Sequence, residues 1–485
     1  DLYLPFKEKL YWLTRKPVML AEFGSLNLNG NQHEWLQDAM TTISNEYSEI
    51  GAVVVFNSAY DNNIPENTWY DQPYLDWTTD SLTVISSHFK EPPIFLNESP
   101  PVISGNLKRN LLKNIRGVRY RKGEDWKDSY YVLARRNLLT DFQKMKQAGI
   151  NTVHFKGGNI YEYNILQHIK EKNLKAVYEF DIDLSKGFIN REAELAKLSE
   201  RILRKVEELK DHSAIVSYSF NYNFDLYFTK PLLFYQKQAF ANWLAYLAPR
   251  IKEIDPEKSI ILDLPLKEST AAELSELHPR LPVDVFGLIL QDTINLGSTY
   301  ARLKDQNIPV FISSLPADYL NIERSLPEEN LILENWQDER YSHRLTFDGL
   351  LDFSGRKKKS FFEVKDLFLN DGKRNFPKVK MIKPAVPLLP QQKLTYHAAI
   401  FENNTWLHNE QIPEDFVFEW KLIKNDIFGN PLAARDLGKG SSIQVVIPED
   451  YENYELLLSA TKKDSDEVLQ SREKLHTPIN FFTGY

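Results

Sequence analysis

The chain has 485 residues with a formal net charge of −8, and its aromatic side chains number 28 Phe, 24 Tyr and 9 Trp. This length predicts about two to four domains, and the negative charge disfavours nucleic acid and anionic membranes as main partners. Cysteine is absent, which excludes disulfides, thiolate metal sites and cysteine nucleophiles. The 10 histidines form no H-x-x-x-H pair, so we predict neither a zinc site nor a cofactor.

Residues 1–90 have the pattern helix, strand, helix, strand and tail. Phe6–Leu13 and Glu34–Tyr47 are the predicted helices, and Val18–Phe23 is the first predicted strand. Ala52–Phe56, with the sequence AVVVF, is an apolar run typical of a buried parallel strand. Two parallel strands cannot cover both faces and both edges by themselves. We therefore expect this region to pack on further structure.

A proline-rich stretch at residues 91–105 predicts a linker to a second region, residues 106–370. In that region strand candidates alternate with helical patterns. The candidates are Arg116–Tyr120, Thr152–Phe155, Lys175–Asp181, Ala214–Phe220, Ser259–Leu264, Val285–Leu290, Val310–Ser313 and Asn330–Glu334. Eight strands alternating with helices over about 260 residues predict a complete (β/α)₈ barrel. A doubly wound open sheet is the alternative, although no G-x-G-x-x-G follows the first strand.

A second proline-rich linker is predicted at residues 371–394, and residues 395–485 have a different character. Short strands there are separated by Asn, Gly, Asp and Pro. They are Leu394–Phe401, Phe416–Ile423, Ser442–Ile447 and Tyr454–Ala460. This spacing predicts an immunoglobulin-like β-sandwich. The predicted fold class is therefore α/β plus β: a partial barrel segment, a (β/α)₈ TIM barrel and a C-terminal β-sandwich.

Two sets of motifs carry a resemblance to a known group of proteins. K-P-V-M-L-A-E-F-G at residues 16–24 and A-V-V-V-F-N at residues 52–57 resemble the last two strands of a family 26-like barrel, so residues 16–90 resemble its C-terminal part. N-I-R-G-V-R-Y, A-G-I-N-T-V-H-F and L-I-L-E-N-W resemble strands one, two and eight of a family 2 or family 5 barrel. Both belong to clan A glycoside hydrolases, the (β/α)₈ retaining glycosidases. The resemblance implies that Glu22, at the end of strand seven, is the catalytic nucleophile.

The complete barrel departs from that family pattern at two strand ends. Strand four of the family ends Asn-Glu with the glutamate as acid/base, whereas this chain has Asn221-Tyr222-Asn223. Strand seven ends in the nucleophile glutamate, whereas this chain has Ser313-Ser314. Retaining hydrolysis requires two carboxyl groups about 5–5.5 Å apart. We therefore predict that the barrel of residues 106–370 is non-catalytic.

Four further residues are predicted to bind substrate: Asn223, Trp336, Glu334 and Trp77. An asparagine can hydrogen-bond a sugar hydroxyl, and the resemblance implies an aromatic floor at Trp336. Ordinary rim packing is the alternative for Trp336, and docking on neighbouring structure is the alternative for Trp77. Glu334 could form a new carboxylate pair with Asp181, but the favoured interpretation is that both are capping, ion-paired or solvated groups.

The predicted function is the C-terminal portion of a carbohydrate-active, glycoside hydrolase-like protein acting on a β-linked polysaccharide. The full barrel then serves glycan binding or scaffolding, and the chain alone is expected to be inactive. Partners would be an oligo- or polysaccharide and the upstream remainder of the first barrel. The alternative is a non-catalytic accessory module of a polysaccharide synthase. We see no signal peptide or membrane-spanning run, and the substrate class favours a periplasmic or extracellular location.

Overall fold

The computed structural model describes most of the chain, in the following ranges. They are residues 3–5, 7, 18–26, 31–47, 49–59, 61, 75–79, 112–124, 132–189, 191–229, 232–290, 296–321, 330–340, 344–372, 374, 376–402 and 404–475. The chain divides into two compact units, one of Asp1–Ser99 with Ile189–Glu192 and one of Pro100–Phe188 with Ala193–Tyr485. The predicted linker at residues 91–105 lies outside the described residues, as does most of the predicted first helix.

The first unit contains a strand–helix–strand arrangement, as predicted. Strands β1 (Val18–Phe23) and β2 (Ile50–Val55) pair in parallel, and helix α1 (Gln32–Glu46) connects them. The helix packs its apolar side against one face of the sheet. The other face leaves Met19 and Val54 exposed, at 59% and 48% of their surface. Within the described residues the sheet has only these two strands, so one apolar face is uncovered.

The second unit contains a closed parallel barrel of eight strands. The strands are β3 (Arg116–Arg119), β4 (Thr152–Lys156), β5 (Lys175–Glu179), β6 (Ile215–Asn221), β7 (Ser259–Pro265), β8 (Val285–Ile289), β9 (Val310–Leu315) and β10 (Leu331–Leu333). Strand β10 pairs with both β9 and β3, which closes the ring. All eight predicted strands are thereby confirmed, and the alternative of an open sheet is wrong.

Within the described ranges an α-helix follows every barrel strand except β9. These helices are α2 (Arg135–Gln147), α3 (Glu162–Glu171), α4 (Glu192–Leu209), α5 (Leu232–Ile254), α6 (Thr270–Leu277), α7 (Leu296–Asp305) and, after β10, α8 (Lys359–Leu369). Each buries an apolar stripe against the strands, as Leu138, Phe142 and Met145 do on α2. No helix in these ranges has the length and apolar composition needed to cross a membrane.

The last region contains two antiparallel sheets, as predicted for a β-sandwich, although its first strand lies within residues 371–394, which were predicted to be a linker. One antiparallel sheet contains β11 (Lys378–Ile382), β12 (Lys393–Glu402), β13 (Thr405–His408) and β16 (Ser442–Val446), and the other contains β14 (Phe416–Asn425), β15 (Pro431–Lys439), β17 (Tyr454–Lys462) and β18 (Leu469–Lys474). Alternate residues of the two sheets share one apolar core, with Trp420 buried in it.

The loop that follows β10 joins the barrel to the sandwich. The guanidinium of Arg356 lies 2.9 Å from the carboxylate of Glu419, and the ammonium of Lys357 lies 3.0 Å from that of Asp466. The backbone N–H of Leu345 donates to the carbonyl oxygen of Pro431 at 2.8 Å. Charged and backbone contacts therefore hold the sandwich against a loop that begins at the carboxyl ends of the barrel strands.

Candidate functional site at the barrel axis and mouth

Side chains inside the barrel change from apolar to polar along the strands. Val177, Ile261 and Ile332 belong to an apolar layer across the interior. Because side chains on one face of a strand recur every second residue, Glu179 and Asp263 follow Val177 and Ile261 on the same face. Eight converging strands thus place a polar layer directly above an apolar one, towards the carboxyl ends.

Arg119 at the end of β3 is the centre of this polar layer. Its Nη1 donates to Glu179 Oε2 at 3.1 Å, and its Nη2 donates to Asp263 Oδ2 at 3.2 Å. Its Nε donates to the carbonyl oxygen of Ser313 at 3.1 Å. All three charged side chains are nearly closed to solvent. One guanidinium therefore compensates two carboxylates from strands β5 and β7 in a low-dielectric interior.

His154 on β4 completes the cluster. Its Nε2 lies 3.1 Å from Glu179 Oε2 and 4.0 Å from Asp263 Oδ2. Burial and the nearby Arg119 charge lower the pKa of His154, which favours the neutral imidazole. Burial would raise the pKa of Glu179, but His154 and Arg119 outweigh it and lower that pKa to about 2. Glu179 is therefore ionised at any physiological pH.

The backbone of β8 leaves the space that Asp263 occupies. A Cβ atom on Gly287 would lie 1.9 Å from Asp263 Oδ1 and 2.7 Å from the Ser313 side chain. On its other side Asp263 accepts a hydrogen bond from Ser219 Oγ at 2.6 Å. The carboxylate thus fits only because glycine stands at this position of β8.

His154, Glu179 and Asp263 offer ligand atoms within 4.8 Å of one another, which is the spacing of a possible metal site. The set of one imidazole and two carboxylates suits several divalent ions. Arg119 is already bound to both carboxylates, however, and places a positive charge where an ion would need them. The donor set in this arrangement serves an internal ion pair, and we assign no metal to it.

The predicted substrate-binding residues of the barrel lie above this cluster, at the carboxyl ends of β6 and β10. Asn223 is buried, and its Oδ1 accepts no hydrogen bond from the part of the chain that the structure describes. Glu334 is half-buried, and burial and the Asp348 charge raise its pKa. Trp336 is only 1% exposed and packs against Phe361 at 6.3 Å between ring centroids. Trp336 thus takes part in packing at the rim, and its role in substrate binding stays a prediction.

Glu334 and Asp181, the predicted carboxylate pair, have different charged neighbours. Asp181 is exposed, and its Oδ1 forms an ion pair with Lys156 Nζ at 2.6 Å. Glu334 instead responds to the charges of Asp348, Arg121 and Arg119. Whether the two carboxyl groups act together stays a prediction, and ion pairing describes what Asp181 does here.

Glu22 and Trp77 belong to the first unit. Glu22 lies on β1 with its side chain exposed, and the described residues give it no hydrogen bond or ion pair. Trp77 packs against Phe56 at 5.7 Å between centroids, and its Nε1 donates to Asp61 Oδ2 at 3.0 Å. Trp77 therefore contacts residues that follow the two-stranded sheet, and its role in substrate binding stays a prediction. The nucleophile role of Glu22 stays a prediction.

Arg119 and His154 were not identified as site residues from the sequence, although both lie in strands that were. The signal that could have found them is a charged or ionisable residue near the end of an otherwise apolar strand, repeated in β3, β4, β5 and β7. In a closed barrel such ends converge. A strand taken singly does not show that its polar residue meets three others.

Among solved structures the chain is distantly similar to glycosidases with (β/α)₈ barrels. For Bacteroides uniformis beta-glucuronidase the TM-score is 0.44 with 14% identity, over 74% of this chain and 46% of that chain. For the beta-galactosidase from the psychrophilic Marinomonas ef1 it is 0.38 with 10% identity, over 51% and 58%. For a hyperthermostable endocellulase it is 0.39 with 9% identity, over 53% and 92%.

The chain spans about half the length of the first two of these enzymes. No protein-family model matches the sequence, and no curated protein matches it either. Similarity at these TM-scores assigns neither reaction nor substrate, so the functional argument rests on the geometry of the site.

Proposed function

We propose that the barrel binds a β-linked glycan at its mouth without hydrolysing it, as part of a carbohydrate-active protein. The observation that carries this proposal is the engagement of both interior carboxylates by one guanidinium. Glu179 and Asp263 each pair with Arg119 at 3.1–3.2 Å. Pairing with Arg119 lowers the basicity of both carboxylates and with it their nucleophilicity, and Glu179, whose pKa is about 2, is ionised and cannot donate a proton.

The ends of strands four and seven support the same reading. Asn223 follows β6, and Ser313 and Ser314 end β9. Neither an amide nor a hydroxyl group can form the glycosyl ester of a retaining enzyme or act as a proton donor of useful acidity at neutral pH. Each can, however, exchange hydrogen bonds with a sugar hydroxyl.

Unsatisfied polar atoms near the mouth favour a hydroxyl-rich ligand. Among the described residues, Asn223 Oδ1 and Ser314 Oγ are buried and find no hydrogen-bond partner. Such groups are costly unless water or a ligand satisfies them. A carbohydrate presents donors and acceptors at close spacing, which matches this mixture of groups.

The direct test measures turnover and binding with the same protein. We expect no hydrolysis of aryl β-glucosides, β-galactosides, β-mannosides, β-xylosides or β-glucuronides above background. By calorimetry we expect binding of at least one β-linked oligosaccharide, weakened about three- to tenfold by Asn223→Ala because one hydrogen bond is lost. Gln167→Ala, on the exposed side of α3, is the matched amide control and should bind normally. Failure of every β-glycan to bind would refute the proposal.

A second candidate function is hydrolysis with Glu334 as proton donor. The observation that favours it is the opposite displacement of two pKa values, raised for Glu334 and lowered for Glu179, since acid and nucleophile require such a separation. Turnover that Glu334→Gln abolishes and Glu22→Gln leaves intact would establish this candidate. Turnover lost only in Glu22→Gln would assign activity to the first unit.

The role of the natural protein in a polysaccharide system is a separate part of the proposal. If the gene encodes sequence before residue 1, that sequence would decide between the two roles. A strand ending Asn-Glu or His-Glu about 100 residues before Glu22 would supply the acid/base partner of a retaining enzyme. A membrane-spanning glycosyltransferase there would instead indicate an accessory module of a synthase.

A further inference from the structure

The hairpin between β14 and β15 ends in an exposed apolar tip. Ile427 and Phe428 are 84% and 82% exposed, which makes them the most exposed large apolar side chains among the described residues. They are consecutive, so their apolar surface is continuous. An exposed pair of this kind adds nothing to the sandwich core, whose members all lie on the strands or just beside them. Its surface is available to a ligand.

The tip has a fixed conformation. Asp426 Oδ1 accepts hydrogen bonds from the backbone N–H groups of Phe428 and Asn430 at 2.9 and 2.8 Å. Asp426 Oδ2 accepts from Asn430 Nδ2 at 2.9 Å, and the Asp426 N–H donates to the Asn430 carbonyl. Gly429 supplies the φ of 86° that the turn requires. Because the backbone is already ordered, binding through Phe428 would cost little further entropy.

The strand that follows the tip contacts the loop after β10. Pro431, at the start of β15, accepts the backbone hydrogen bond from Leu345 at 2.8 Å. Leu345 pairs with Arg340 in the loop after β10. The charge of the neighbouring Arg344 acts on Glu334 and partly opposes the rise of its pKa. Phe428 is three residues from Pro431, so its Cα lies within about 11 Å of that contact.

We propose that Phe428, with Ile427 beside it, forms an outer subsite of the barrel mouth that stacks on a sugar ring of the glycan. This inference rests on the proposed function. A pyranose ring exposes hydroxyl groups at its edge and C–H groups on its faces. The polar groups of the mouth satisfy the hydroxyls of one sugar unit, while an aromatic ring packs on the C–H face of another. The sandwich thereby contributes directly to ligand binding.

Ligand length provides the test. Calorimetry on the full chain compares a disaccharide with a hexasaccharide of the same linkage, taken from β-1,4-glucan, β-1,3-glucan, β-1,4-mannan and β-1,4-xylan. We expect Phe428→Ala to weaken hexasaccharide binding about tenfold and to leave disaccharide binding unchanged. Phe428→Trp should retain the affinity. Asp426→Ala, which keeps the ring but loosens the turn, should also weaken the hexasaccharide alone.

Controls separate this inference from the function it rests on. Tyr246→Ala removes an exposed aromatic ring from the middle of α5 and should change neither affinity. If the native chain binds no glycan, the proposed function fails. If it binds hexasaccharide and Phe428→Ala binds it equally well, only the outer subsite fails. Binding to vesicles of phosphatidylcholine and phosphatidylglycerol that Phe428→Ala abolishes would assign the tip to a membrane and overturn the inference.

Discussion

Glu22 and Glu179 are both glutamates in the carboxyl-terminal part of a strand in a parallel sheet, yet their surroundings are opposite. Glu22 lies on a two-stranded sheet and is exposed without a partner among the described residues. Glu179 lies in a closed barrel and contacts Arg119 and His154 at 3.1 Å. The closure of the barrel explains this difference, because it brings the ends of non-adjacent strands to one axis.

The comparison also shows that a glycosidase-like sequence motif and a buried, charged environment occur at different glutamates. The sequence around Glu22 carries the more specific glycosidase-like motif, but the described structure gives this residue no second carboxylate partner by hydrogen bond or ion pair. Glu179 has the buried, electrostatically displaced environment typical of functional sites, but Arg119 compensates its charge. The displaced pKa of Glu179 therefore marks an internal ion pair.

The largest expected effect comes from removing the charge at the centre of the barrel. Arg119→Met leaves Glu179 and Asp263 buried without their cation, and should destabilise the barrel by about 3–5 kcal/mol. The measurement is the urea midpoint of unfolding followed by tryptophan fluorescence. A triple variant with Arg119→Met, Glu179→Gln and Asp263→Asn should recover part of the loss, because no charge then remains uncompensated. A midpoint within error of the native value for Arg119→Met would show that the cluster is solvated.

Gly287→Ala tests whether Asp263 has any room to move. The added methyl group would lie 1.9 Å from Asp263 Oδ1, and we expect a loss of about 1–3 kcal/mol from overpacking, seen as a lower urea midpoint. The double variant with Gly287→Ala and Asp263→Ala should lose less unfolding free energy than the sum of the two single variants, since the clash disappears with the carboxylate. Strict additivity would contradict this account of β8.

The strands of the barrel and sandwich could be predicted because each shows its own local pattern. The run around Val177 or Ile261 is nearly continuous in apolar residues, as buried parallel strands require, while the sandwich strands alternate. The ion cluster could not be predicted, because Arg119 and Asp263 are 144 residues apart and meet only when the barrel closes. The position of the exposed tip at Phe428 likewise depends on how the sandwich packs against the loop after β10.

Acid should weaken the barrel through Glu179. Its pKa is about 2 in the folded state, against 4.5 for an ordinary glutamate. A lowered folded pKa stabilises the protein above the unfolded pKa, so this stabilisation is complete above about pH 5 and is lost as the pH falls towards 2. Urea midpoints at pH 6, 5, 4 and 3 should fall less steeply in Glu179→Gln. The exposed Glu171, whose pKa His168 lowers, provides a control whose Gln variant should retain most of the slope. Equal slopes for native and Glu179→Gln protein would contradict the ion pair.

The smallest effect is expected at the residue with the most specific motif. Glu22→Gln should change the free energy of unfolding, derived from the urea midpoint, by less than about 0.5 kcal/mol, because the side chain is exposed and no described contact holds it. Phe23→Ala, next along β1, removes a buried ring that packs on Trp35 at 5.5 Å and should cost several times more. If Glu22→Gln instead destabilised the first unit as much as Phe23→Ala, Glu22 would have a buried structural partner. The contrast with Glu179 would then disappear, because both glutamates would serve the stability of their own sheets.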